Sequence, residues 1–302
     1  MDTDFFTEFP FTLAIDLKAI DDSIRAFSVR HDAFFSGIKS GLNGMITGIH
    51  AVLGILPWWL LLVLVFLAGW RLSGKLKSGV LYAVMMSLIG VFGLWDMMNE
   101  TLAIIIAAVL ISLLLGLPIG ILISGSERAN RIVRPILDTM QTMPVFVYLI
   151  PAVLFFGLGK APAVIATVIY AIVPVIRLTS HGIRQVDREV VEAAKAFGST
   201  RMQTLVKVQI PQALPTIMTG INQTIMMAMA MVVTCSMIGA TGLGMEVLIG
   251  VNRLEIGRGL IAGISVVIMA IVIDRLTQNG IAATEQNAKR QRKRRWKHER
   301  SA

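Results

Sequence analysis

Charge is what this chain has least of. Asp, Glu, Lys and Arg make up 16% of its 302 residues, against about a quarter in soluble domains, which excludes an ordinary soluble fold. Cysteine is nearly absent too. Cys235 stands alone in an apolar run, so no disulfide can form within the chain, and a lone buried thiol packs as a small hydrophobe. No Gly-x-x-x-x-Gly-Lys-[Ser/Thr] loop occurs. Gly157 to Lys160 is too short for one, with Ala161 where a hydroxyl residue would stand, so the chain is not expected to hydrolyse ATP. His31, His50, His181 and His298 are scattered without metal spacing, and no nucleophile–base set can be assembled. No catalytic residue and no metal site is therefore expected. Met1 to Phe11 has no basic start leading into an apolar stretch, so no cleavable signal peptide is expected, nor a soluble ligand-binding unit after the last apolar run.

What the chain has in abundance is apolar surface. It is 55% hydrophobic with a mean hydropathy of +0.72, the composition of an all-α integral membrane protein. A helix needs about 20 apolar residues to cross the hydrocarbon core. About seven runs qualify, at 52–70, 78–95, 101–124, 143–158, 161–178, 213–239 and 258–276. Basic residues fall on alternate loops: Arg71, Lys75 and Lys77; Arg128, Arg131 and Arg134; then Arg177, Arg184, Arg188, Lys195, Arg201 and Lys207. The opposite loops carry Asp96 and Glu100, then Lys160, then a balanced Glu246, Arg253, Glu255 and Arg258. By the positive-inside rule the N-terminus is outside, the C-terminus is cytoplasmic, and the number of spans is odd.

Four regions follow. Residues 1–50 form an outer-surface segment in which Leu13, Leu17, Ile20, Ile24, Phe27, Phe34, Ile38 and Leu42 recur at helical spacing between charged residues. This predicts an amphipathic helix lying on the membrane, or a collar for a dimer or external partner. Residues 51–96 hold two accessory spans and 97–278 the core. The tail, 279–302, carries Lys289, Arg290, Arg292, Lys293, Arg294, Arg295, Lys297 and Arg300. The net charge of +9 invites a nucleic-acid reading, but basic loops and a membrane-tethered tail fit topology and anionic lipid better.

The core is interrupted at 179–212 by a polar insert that predicts two short helices. Asp187 is a candidate N-cap, Glu189 suits the first turn, and Val190, Ala193, Ala194 and Phe197 share a face. Gly198 stands where a positive φ ends the first helix, and Thr200-Arg201-Met202-Gln203 has the form of a capping box for the second. Pro211 is expected to close the second helix, with Pro215 in the first turn of the next span. A short apolar helix facing water, joined directly to two spans, has the shape needed to pass force from a partner, with Phe197 as anchor. Alternatively it packs on its own bundle.

Glu192-Ala193-Ala194, then Gly198, Val208, Ile210 and Pro211 at their intervals, resembles the signature loop of permease subunits in bacterial binding-protein-dependent ABC importers. Val208 and Ile210 stand where that family more often has Ile and Leu. Pro135 to Pro144, Phe146 to Pro151, Gly220 to Thr224, Gly242-Leu243-Gly244 and Asp274 to Gln278 further resemble the osmoprotectant type, which carries glycine betaine, proline betaine or choline. The likeness runs from about residue 85 to 278. It implies a type I importer transmembrane domain in the bacterial inner membrane, with the insert as coupling helix. The partners implied are two copies of an ABC ATPase, which alone uses ATP, a separate periplasmic or lipid-anchored binding protein, and a second permease copy. Glu192, Ala193, Ala194, Phe197, Gly198 and Pro211 are then the coupling residues.

The spans are nearly free of ionisable groups, which argues against a proton-coupled carrier. Asp274 and Arg275 sit near the inner end of the last span, able to pair or snorkel. Asn222, Gln223 and Thr224 in the sixth span serve as glue between helices or line a pathway, and Gly242 and Gly244 mark a candidate outer gate. The spacings Gly116/Gly120 and Gly259/Gly263 fit close helix approach. Trp58, Trp59, Trp70 and Trp95 fall at span ends, so no aromatic cage for a quaternary ammonium is expected and a binding protein would set specificity. The alternatives are the same architecture for another small solute, or a secondary transporter or channel.

Overall fold

The computed structural model describes residues 16–299, with side chains to residue 282, and its described secondary structure is helical throughout. Helix α1 (Leu17–Arg30) opens on Asp16, whose carboxylate accepts the Ala19 N–H at 3.1 Å. It stops at His31, and α2 (Asp32–Ile55) follows. The predicted amphipathic helix is thus two helices, which meet at His31, whose backbone leaves helical geometry and whose Nδ1 lies 3.0 Å from the Phe27 carbonyl oxygen. Leu13 lies outside the described residues.

Pro57 ends α2, since a residue before proline is held in extended backbone, as Leu56 is. Helix α3 (Trp58–Ser73) leaves at 92° to α2. The first predicted span therefore starts six residues late. Helix α4 (Leu76–Val91) returns beside α3. A Cβ on Gly79 would come within 2.5 Å of the Phe66 carbonyl oxygen, so this contact admits only glycine.

Helix α5 (Trp95–Ser124) is long and apolar enough to cross a bilayer. Helices α6 (Glu127–Thr142) and α7 (Val145–Phe156) meet at 92° across Met143 and Pro144. Twelve residues rise only about 18 Å, so α7 alone cannot cross a core about 30 Å thick, and the fourth predicted span is no straight crossing. The turn into α8 (Lys160–Arg184), a second full-length apolar helix, uses Gly157 at φ +74° and Gly159 at φ +124°. The insert comprises α9 (Arg188–Ala196), α10 (Arg201–Thr204) and a π-helical turn at Leu205–Gln209 that runs into α11 (Ile210–Ala230).

The sixth predicted span is interrupted. After α11 the chain bends at Met231 into α12 (Val232–Ser236), and α13 (Leu243–Asn252) follows. Helix α14 (Ile256–Glu299) is apolar to Ala282 and spans. It forms a hairpin with α13, where a Cβ on Gly250 would come 2.5 Å from the Gly259 Cα. Gly263 faces open space, so only the first glycine of that pair is used for packing.

The centre is α8, with α5 on one side and α11 on the other. Ala103, Ala107, Ala108, Ala163 and Ala166 are fully buried there, and small residues let membrane helices approach closely. Gly116 rests on Val175, and a Cβ on Gly120 would come 2.7 Å from the Thr179 Cβ. The reverse face of α5 exposes Leu110, Leu114 and Leu122, the surface lipid would cover.

Candidate functional site

The insert is a short capped helix standing off the end of the bundle. Asp187 accepts the Glu189 N–H at 3.0 Å and fixes the start of α9. At its other end Phe197 leaves the helix and Gly198 takes φ +81°. The Gly198 N–H reaches the Lys195 carbonyl at 2.8 Å and the Ser199 N–H reaches Ala194 at 3.1 Å, which satisfies carbonyls a helix end otherwise leaves bare. Thr200 and Gln203 form the reciprocal box: the Thr200 N–H donates to Gln203 Oε1 at 2.9 Å, and the Gln203 N–H to Thr200 Oγ1 at 3.3 Å. Ser199 Oγ and Thr204 Oγ1 lie 2.7 Å apart, tying the two lever helices together.

Among the described residues nothing covers the apolar side of α9 at Val190, Ala193 and Phe197. Val190 and Ala193 are exposed, and Phe197 is 93% exposed. Ala194 differs from that reading: it is half-buried and its carbonyl accepts both the Ser199 N–H and, at 2.6 Å, the Ser199 hydroxyl. Val191 is half-buried on the same inner side. Glu192 is exposed on the outer surface.

Pro211 does not close the second helix. The π turn carries the chain through it, with the Ile210 N–H bonding Leu205 five residues back, and Pro211 falls at the start of α11, where its missing N–H costs little. The lever is therefore continuous with α11. Its other stem, α8, is locked to α11 by small residues. A Cβ on Gly182 would meet Thr216 Cβ at 2.9 Å, and one on Gly220 would meet Leu178 Cβ at 3.0 Å. Arg184 and Arg177 in α8 pair with Glu127 and Asp138 of α6, each at 2.5 Å.

The three amide and hydroxyl residues of α11 separate. Asn222 is a tie to α14: its Nδ2 donates to Asp274 Oδ1 at 3.3 Å and its Oδ1 accepts the Thr277 hydroxyl. Gln223 is exposed. Thr224 is fully buried, with its hydroxyl unpartnered. Asp274 also accepts Gln278 Nε2 at 2.7 and 2.8 Å. It forms no ion pair with Arg275, because neighbours in sequence do not face each other on a helix. Gly242, at φ +112°, and Gly244 are both buried. The Leu243 N–H donates to Thr101 Oγ1 at 2.8 Å, joining α13 to α5, and a Cβ on Gly244 would come 2.5 Å from the Val232 carbonyl.

Sequence reasoning passed over one feature. Glu246 and Arg258, read as balanced loop charge, make a two-pronged ion pair at 2.6 and 3.1 Å across the α13–α14 hairpin, and Arg258 also reaches Glu255 at 3.2 Å. Opposite charges placed symmetrically about a short turn were the available signal. Glu100 likewise pairs with Lys160.

Helices long and apolar enough to cross a membrane, joined to a capped insert with an exposed apolar tip, have the form of the membrane domain of a transporter. Comparison with known proteins agrees. Residues 112–279 match the family described as binding-protein-dependent transport system inner membrane component, and the chain belongs to it. It is 47% identical over 260 residues to the glycine betaine transport system permease protein OpuAB of Bacillus subtilis, covering 86% of this chain and 92% of that one. It is 42% identical over 262 residues to the glycine betaine/proline betaine transport system permease protein ProW of Escherichia coli, covering 87% and 73%. Among solved structures, an inward-facing MetNI methionine ABC transporter matches with a TM-score of 0.52 and 26% identity, over 67% of this chain and 95% of that chain. The protein is thus a multi-pass inner-membrane component of an ABC importer, in a family that depends on binding proteins.

Proposed function

We propose that this chain is the non-catalytic permease subunit that passes a quaternary ammonium osmoprotectant, glycine betaine or proline betaine, across the inner membrane. The solute is carried over from relatives named for those compounds and aligned along most of this chain. The observation that carries the mechanism is the lever: Phe197, 93% exposed, at the end of the capped helix α9, which is one short turn from α8 and is followed by α10 and the π turn into α11. An ATPase pocket closing on Val190, Ala193 and Phe197 would grip an aromatic anchor. Gly198 and the capping box transmit the displacement, and the glycine contacts between α8 and α11 make both helices move as one body.

Two permease copies line the pore, two ATPase copies drive it, and a separate binding protein delivers the solute. The lever and the C-terminus face the cytoplasm and the N-terminus faces outward, following the basic loops. Residues 51–96 are accessory to the core. Gln223, the exposed member of its trio, faces the pathway between copies, while Asn222 holds α14. Gly242 and Gly244 act at the outer gate through their tight seating against α5 and α12. Uptake of labelled glycine betaine into vesicles holding permease, ATPase and binding protein tests the reading. Uptake that requires ATP on the lever side is expected. Uptake driven by an ion gradient without ATP overturns it.

A further inference from the structure

At the lever end of the bundle, α5, α6 and α8 enclose a cavity of about 370 Å³. Its lining is divided. Ile123, Val133, Leu137 and Leu178 form an apolar wall, and Arg134, Arg177 and Arg184 line it with Asn130, Ser180 and His181. Among the described residues no carboxylate lines the cavity. Asp138 and Glu127 take up Arg177 and Arg184 from the rim, with side chains 53% and 78% exposed. Arg134 has no ion pair among the described residues, so the cavity keeps an excess cation. Ser180 also borders the cavity. The residue is 4% exposed, and its hydroxyl, itself buried, has no hydrogen-bond partner among the described residues.

We propose that this cavity holds the phosphate group of an anionic phospholipid. Arginine forks match phosphate oxygens, and the apolar wall accepts the start of an acyl chain. Basic pockets between membrane helices at the cytoplasmic face are suited to such headgroups. A free phosphate would use the cations and leave the wall bare. The site rests on the cytoplasmic placement of the lever end proposed above, and not on the solute.

The test is native mass spectrometry of the permease–ATPase complex, extracted from membranes and exchanged into phosphatidylcholine with and without phosphatidylglycerol. Retained phosphatidylglycerol is expected. Arg134→Gln should lower its occupancy roughly fivefold, in line with about 1 kcal/mol per basic residue. Arg134→Lys should restore part of it. Each variant is first checked for unchanged assembly with the ATPase, and Arg134→Met stands in if Arg134→Gln does not assemble. Unchanged retention in the charge-removing variant overturns the proposal. Displacement of the lipid by millimolar inorganic phosphate, with phosphate alone stabilising the complex, overturns the lipid in favour of a free anion.

Discussion

Gly182 of α8 lies directly against Thr216 of α11, so close that a side chain on the glycine would overlap the threonine Cβ at 2.9 Å. This contact joins the two stems of the lever just where it leaves the bundle. A stem pair that slid apart would absorb a push at α9 instead of passing it inward. Gly182→Val should wedge α8 from α11. Overpacking of this kind costs about 1–3 kcal/mol. A lower unfolding temperature in detergent is expected, together with ATP hydrolysis that no longer tracks uptake.

Phe197 separates docking from folding. It touches little of its own chain, so Phe197→Ala should leave permease stability within about 0.5 kcal/mol. As an interface anchor it should weaken ATPase binding by about 2 kcal/mol, roughly thirtyfold. Thermal unfolding of the permease reads the first quantity, and titration of purified ATPase against permease in nanodiscs reads the second. An unchanged dissociation constant would remove Phe197 from the interface.

Gly198 isolates a backbone effect, because at φ +81° nothing lies within 4 Å of a Cβ placed there. Left-handed backbone costs an L-residue about 1–2 kcal/mol, and more when it is β-branched. Gly198→Val should therefore leave ATPase activity poorly coupled to uptake, with Gly198→Asn milder because asparagine tolerates this conformation. Equal coupling in both variants would show that the turn does not transmit the motion.

The Glu246–Arg258 pair allows a double-mutant cycle. The Glu246 side chain is 11% exposed and that of Arg258 37%, so losing one partner leaves the other charge partly desolvated and should destabilise, by less than in a fully buried pair. Glu246→Leu and Arg258→Met should each lower thermal stability, while the two combined should recover most of it. Two full, additive losses would contradict the pairing.

Asn222→Ala should remove the tie to α14 and cost about 0.6–1.7 kcal/mol, the range for such bonds between membrane helices. Transport rate should fall without a change in the order of preferred solutes. A switch of solute preference, read by competition uptake, would make Asn222 a recognition residue.

Local features were legible because short-range chemistry specifies them. The Asp187 cap, the positive φ of Gly198, the Thr200–Gln203 box and the Gly157–Gly159 turn each depend on a few neighbouring residues. Breaks within apolar runs were not legible in the same way. Pro57 and Pro144 each mark a right-angle bend, while Pro118, Pro174 and Pro215 lie inside continuous helices, so proline alone does not say which outcome a span takes. Pro211 was expected to stop a helix, and a π turn carries the chain through it.

Composition and loop charge by themselves determined that this is a helical membrane protein carrying a polar lever, since hydrocarbon demands apolar runs and helix ends demand caps. Tertiary structure alone decided which polar residues meet. Asn222 bonds to α14, Glu246 finds Arg258 across a hairpin, and three arginines from two helices line one cavity. Those encounters depend on helix rotation and crossing, which are set by where glycine and alanine let backbones come together, and no local pattern encodes them.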